Sequence, residues 1–184
     1  FILAASEDIP DEIDRIDGLI SEFMEYTSPR KAIIESFLLY EELMKTLKLV
    51  KFHIGHINLL IDVDKSYYVR FDLGHFKQIV LNILLNSIDA VKELHFPTIE
   101  IRATETNDSI SLSFIDNGPG MNKDDIQYIF EPFYTTKEYG NGVGMFVVKQ
   151  LVDENEGKIS AISHGKNMGM SIILELKKGE SNEE

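Results

Sequence analysis

The sequence predicts an α+β fold: a two-layer sandwich with a mixed, mostly antiparallel sheet, helices on one face, and an extra helix at the N-terminus. Three observations lead there. Residues 75–94 carry a helical pattern that is apolar around most of its circumference. Residues 98–115 and 158–177 alternate apolar and polar side chains around short turns, as hairpins with one buried face do. Helices come first and hairpins later, which segregates the helices to one side of the sheet.

The composition sets limits. At 184 residues the chain is one domain, or one domain with an appended element, and with 43% hydrophobic and 27% charged residues it can build a core. The net charge of −13 argues against nucleic acid as a partner. An anionic ligand therefore has to be held locally, by backbone N–H groups, a metal ion or a single lysine. With no cysteine there are no disulfides or thiolate metal sites. No apolar run approaches the roughly 18 residues of a membrane span, so no membrane contact is expected of this segment. The opening Phe1 to Ala5 does not read as a signal peptide but as a helix cut in the middle, and the chain as a fragment of a longer protein.

In chain order, residues 9–27 form a helical stripe of Ile13, Ile16, Ile20 and Phe23, with Asp11, Glu12 and Asp14 at the positive end of its dipole and Ser28-Pro29 as its stop. The narrow stripe suits either packing against partner helices or a peripheral helix on its own domain. Residues 30–50 read as a second helical region, Phe52 to Val63 as a strand, and Tyr67 to Phe71 as a short neighbour strand. Asp72 to Gly74 is a turn. The long helix over 75–94 leaves one polar stripe, Gln78, Asn82, Asn86, Asp89 and Glu93, all on one face. That stripe is either a solvated face or a buried amide set with a job; an unpartnered buried amide is costly. Pro97 ends this region. Strands over 98–105 and 110–115 follow, then a short helix over 124–130, a longer one over 143–154, and strands over 158–163 and 170–177. A polar tail closes the chain at 179–184.

The chemistry concentrates in residues 115–145. Asp116 ends an apolar strand and precedes Gly118 and Gly120, which allow close approach to a ligand. A carboxylate there can accept from an exocyclic amine such as adenine N6; a plain Asp-Asn-Gly turn is the alternative. Gly140-Asn141-Gly142-Val143-Gly144 leads into a helix start, where backbone N–H groups and the dipole hold anions. The run lacks the Gly-Lys-Ser/Thr of a Walker loop and the preceding strand of a dinucleotide fingerprint. Lys137 lies just upstream, within reach of a terminal phosphate or simply solvated.

Asparagines at i and i+4, then Asp-x-Gly-x-Gly, Phe-x-Pro-Phe and Gly-x-Gly-x-Gly, occur in that order. This combination resembles the catalytic ATP-binding domain of sensor histidine kinases, of the GHKL superfamily shared with Hsp90, MutL and type II topoisomerases. Asn82 and Asn86 match its N box, Asp116 to Gly120 its first glycine box, Phe130 and Phe133 its F box, and Gly140 to Gly144 its second glycine box. The resemblance covers residues 40–178. Residues 1–29 are similar to the second helix of the kinase dimerisation hairpin, leaving 30–178 as the catalytic domain. None of His53, His56, His75, His95 or His164 stands in the phosphoacceptor setting.

The resemblance implies a Bergerat-type fold, ATP and Mg²⁺ as cofactors, and transfer of the γ-phosphate to a histidine outside this chain. It implies a response-regulator receiver domain as partner, a homodimer through the dimerisation helices, and a cytoplasmic location. Asn82, Asn86 and Lys137 would be the catalytic residues, with Asn86 the metal ligand. Asp116 would select adenine, with Gly118, Gly120, Met121 and Ser171 around the base. Asp89, Phe133 and Thr136 would also bind the nucleotide and Lys137 would meet its phosphates, with Phe130 and Phe133 anchoring a lid over 122–142. Gly140, Asn141, Gly142, Val143, Gly144 and Met145 would close on the phosphates. Asn141, Asn155 and Met170 depart from the family pattern. They motivate an alternative, a non-catalytic nucleotide-binding or protein-interaction module on the same fold. A further alternative, a hydrolase or serine kinase, is disfavoured by asparagine rather than a carboxylate at position 82.

Overall fold

The computed structural model describes residues 31–137, 140–163 and 165–181. The helix expected over 9–27 lies outside them. Residues Ala32–Glu184 form one compact unit.

Its scaffold is a five-stranded sheet in the order β2-β4-β5-β7-β6. The strands are β2 (Asn58–Asp62), β4 (Thr98–Glu105), β5 (Ser109–Asp116), β6 (Lys158–Ile162) and β7 (Met170–Lys177). Only β2 and β4 run parallel; the other three pairings are antiparallel. A separate two-stranded ribbon joins β1 (Ile34–Leu38) to β3 (Tyr68–Asp72). The helices are α1 (Leu39–Leu49), the single turn α2 (Lys51–Ile54), α3 (Leu73–Val91) and α4 (Gly144–Glu154). Phe76, Ile79, Ile83 and Leu84 of α3 are buried together with Ile101, Leu112, Phe114 and Leu174 of the sheet. Alternation along β5 and β7 puts Ile110, Leu112 and Phe114, and Ile172, Leu174 and Leu176, on this covered face. The fold is thus the expected mixed, mostly antiparallel sheet with helices.

Three local expectations fail. The helix expected over 30–50 starts only at Leu39, because Ile34–Leu38 pairs with β3 from Asp72 to Tyr68. That makes β3 a neighbour of β1, not of β2. The strand expected from Phe52 starts only at Asn58. Phe52 belongs to α2 and is 94% exposed, so its place in the apolar alternation was fortuitous. The helix expected over 124–130 is a 3₁₀ turn at Ile126–Tyr128.

Asn155 ties α3 and α4 together. It is buried at the end of α4. Its Oδ1 accepts from the Asp72 amide at 2.7 Å, and its Nδ2 donates to Leu151 O at 2.7 Å and lies 2.9 Å from His75 Nδ1. Asp72 caps α3 through Oδ1, which accepts from the His75 amide at 2.9 Å. Asn155→Leu would leave the Asp72 amide buried without an acceptor. A loss of about 2–4 kcal/mol is expected, read by urea unfolding.

Candidate nucleotide-binding site

The asparagines of α3 face the start of α4. Both are half-buried, and Asn82 Nδ2 reaches Gly144 O at 3.5 Å. A Cβ added at Gly144 would stand 3.9 Å from Asn86 Nδ2. The stripe is therefore a covered face over 82–86 and becomes solvated only at Asp89 and Glu93, which are exposed. The glycine run itself is held by Asn141, whose Oδ1 accepts from the Val143 amide at 3.3 Å. Gly142 has φ +68° and lies against Phe133, whose carbonyl carbon would be 2.5 Å from an added Cβ. The main chain at Phe133 and Tyr134 thus meets the second glycine run backbone to backbone.

Asp116 ends β5, paired with Ile99 on β4 and Met170 on β7. Its Oδ1 accepts from the Gly118 amide at 2.9 Å. Burial pushes its carboxyl above the usual range, against the Gly118 and Met170 amides, the Lys137 charge and the Ser87 hydroxyl, which pull it down. Gly118 presses on α3, where an added Cβ would lie 3.0 Å from Ala90 Cβ. Asp116 is therefore fixed against α3, with its carboxylate at Ser87 and the Gly118 turn at Ala90. A half-enclosed carboxylate in this setting is suited to an amine donor.

Lys137 completes the arrangement. Its Nζ stands 3.3 Å from Asn86 Oδ1 and 3.3 Å from Asp89 Oδ2. Burial works against the charge of Asp89, but the Lys137 and Lys92 ammonium groups outweigh it and hold the carboxyl below its ordinary value.

The sequence profile of the histidine kinase-, DNA gyrase B- and HSP90-like ATPases matches residues 71–180. The chain belongs to that family. It is similar to sporulation kinase E of Bacillus subtilis, 28% identical over 92% of this chain and 23% of that protein. It is similar also to sensor histidine kinase ZraS of Klebsiella oxytoca, 31% identical over 83% of this chain and 33% of that one. The chain spans a minor part of these relatives' length. Among solved structures, the catalytic domain of histidine kinase ThkA superposes with a TM-score of 0.71 at 25% identity, over 79% of this chain and 96% of that domain. ThkA in complex with response regulator TrrA also matches, at 25% identity and a TM-score of 0.77, over 95% of this chain and 51% of that one.

Within this family member, the residues assigned from sequence do not all converge. Asn82, Asn86, Asp89, Lys137 and Gly144 come together, and Asp116 meets the same helix at Ser87. Met121 and Met145 pack against the core. Thr136 and Asn141 are exposed. Two assignments need correction. Ser171 pairs with Ile115, so it lies on the sheet face opposite Asp116; its neighbour Met170 shares the Asp116 face and bonds it through the main chain. Phe130 packs against the core, but Phe133 has φ +64° and is 75% exposed, so it anchors nothing.

Three residues were missed. Ser87 sits on the buried side of α3, 4% exposed, beside Asp116. A hydroxyl among Leu84, Ile88 and Val91 needs a partner, and that need was the available signal. Ser163 Oγ bonds the Met121 amide at 3.0 Å and Gly169 O at 3.0 Å. Gly169, φ +69°, packs against the Asp116 carbonyl. Neither shows in local spacing.

Among the described residues no cluster of three or more His, Asp or Glu could hold a metal. The available oxygens are the Asn86 amide and the Asp89 carboxylate, and an ammonium already rests against both. That donor set fits magnesium, which keeps most of its waters and takes few protein oxygens. No helix among the described residues is long and apolar enough to cross a membrane.

Proposed function

We propose that this chain is the ATP-binding catalytic domain of a two-component sensor histidine kinase. It transfers the γ-phosphate of ATP to a histidine imidazole on a dimerisation helix, for relay to the aspartate of a response regulator in the cytoplasm. The observation that carries the reading is the meeting of Asn82, Asn86, Asp89 and Lys137 with the start of α4, on the helix whose Ser87 meets a half-buried Asp116. Relatives named sensor histidine kinases, and a ThkA complex with a response regulator, support it.

In this reading Asp116 accepts from the adenine N6 amine, and Gly118 and Gly120 let base and ribose approach the main chain. Asn86 and Asp89 would hold Mg²⁺, which when bound would supply charge neutralisation at the phosphates. Asn82 orients that face of α3 through Gly144. The amides at the start of α4 receive the phosphate oxygens, and Lys137 meets the terminal one. The imidazole nitrogen bonds to the γ-phosphorus as the bridging bond to the β-phosphate breaks, and ADP leaves with those electrons. The protein's contribution is position and charge.

The test has two arms. Calorimetric titration with ADP and Mg²⁺ should show binding in the wild type that Asn86→Ala weakens about 10-fold or more, with the loss confined to titrations containing metal. The longer kinase, carrying its acceptor helix, should incorporate acid-labile label from γ-labelled ATP. Absence of label at saturating Mg·ATP, with ADP binding intact, favours the non-catalytic nucleotide-binding module.

A further inference from the structure

Lys137 comes to α3 from 51 residues away in sequence at Asn86 and 48 at Asp89. The chain has 31 acidic residues, so carboxylates are abundant partners for a lysine. This one instead divides its contacts, 3.3 Å each, between a carboxylate and an amide oxygen one helical turn apart. An amide oxygen beside a carboxylate is an ordinary donor set for a hard divalent cation and an unusual one for a surface lysine. Both charged partners stay partly exposed, Lys137 by 43% and Asp89 by 50%, so the ammonium can leave without a long rearrangement.

We propose that, in the nucleotide-free domain, the Lys137 ammonium occupies the divalent-cation position on α3 and competes with the metal for it. The inference rests on reading the pocket as a metal–nucleotide site. A divalent ion reaches Asn86 and Asp89 only when the lysine withdraws. A triphosphate then offers the displaced ammonium its terminal phosphate; a diphosphate offers it nothing equivalent. The same side chain thus opposes metal entry when the site is empty, penalises Mg·ADP and is recovered by Mg·ATP. It sets a preference for the substrate over the spent nucleotide.

The sign of one substitution separates this role from a plain phosphate contact. Mn²⁺ binding is followed by the electron paramagnetic resonance of the free ion, with the domain alone and with ADP, in wild type, Lys137→Gln and Asp89→Asn. Lys137→Gln should bind Mn²⁺ roughly two- to fivefold more tightly in both conditions, the range an exposed ion pair can supply. Asp89→Asn should bind it more weakly. Mn·ATP should gain less from Lys137→Gln than Mn·ADP, because the terminal-phosphate contact is lost. The ADP arm decides where the ion alone binds too weakly to titrate. Unchanged or weaker Mn²⁺ binding in Lys137→Gln, with ADP still bound, overturns the competition and leaves the nucleotide reading standing. Failure of wild type and variant alike to bind Mn·ADP rejects both.

Discussion

Asp116→Asn should weaken ADP and ATP binding about 10- to 100-fold, the worth of a charge-assisted hydrogen bond, while leaving the fold as stable at neutral pH as before, or more so. The two effects separate because Asp116 is held at a cost. Burial raises its carboxyl above the ordinary value of 3.8, and the Gly118 and Met170 amides, Lys137 and Ser87 only partly offset this. Ionisation is therefore harder in the folded chain than in the unfolded one. At pH below 3.8 both states carry the proton and there is no penalty. The penalty grows as pH rises towards the folded value and is complete above it. Wild type should lose stability relative to Asp116→Asn across that window and gain none back at higher pH. Asparagine keeps an oxygen for the Gly118 amide, so the turn survives. Urea unfolding from pH 3 to pH 8, beside calorimetric ADP titration at neutral pH, measures both. A variant that binds ADP as wild type does would remove Asp116 from base recognition.

This separation explains why the pocket was more legible in the sequence than the elements around it. Asp116, Asn82 and Asn86 break local rules: a carboxylate ends an apolar strand, and amides interrupt an apolar helix. Such violations are visible without a structure because they need a compensating function. Regular elements that obey their rules ambiguously are harder. Ile34–Leu38 is β only through its register with Tyr68–Asp72, a long-range pairing that its own residues do not announce. Phe52 continues an apolar alternation and yet stands 94% exposed on a helical turn. Ser171 stands next to Met170 in the sequence, but one residue along a strand is the opposite face. Phe133 matches the F box, and nothing in that match announces its left-handed backbone or its close approach to Gly142. What the sequence hides is close contact between segments distant along the chain.

Gly169→Ala, at one of those hidden contacts, should be the most damaging conservative substitution around the pocket. Gly169 has φ +69°, a conformation alanine adopts only under strain of about 1 kcal/mol. An added Cβ would also collide with the Asp116 carbonyl and come within 3.2 Å of Asn117 Cα, both backbone, so no flexible side chain can yield. The Gly169 amide donates to Gly118 O at 3.1 Å, so the collision falls on the turn that sets the Asp116 carboxylate. Relief requires the β6–β7 turn to separate from the end of β5, which pulls on Ser163 and through it on Met121. A stability loss of roughly 2–4 kcal/mol is expected. A displacement on the order of 1 Å at the carboxylate would add a large loss of nucleotide affinity. Urea unfolding reads the first, and ADP titration well below the variant's melting temperature reads the second. Gly165→Ala is the control for strain without contact: its φ of +125° strains alanine more than +69° does, but an added Cβ meets nothing within 4 Å, so it should lose stability through backbone strain alone and keep its ADP affinity. Equal loss of ADP affinity at both positions would show that backbone strain, and not contact with the Asp116 turn, governs this end of the pocket.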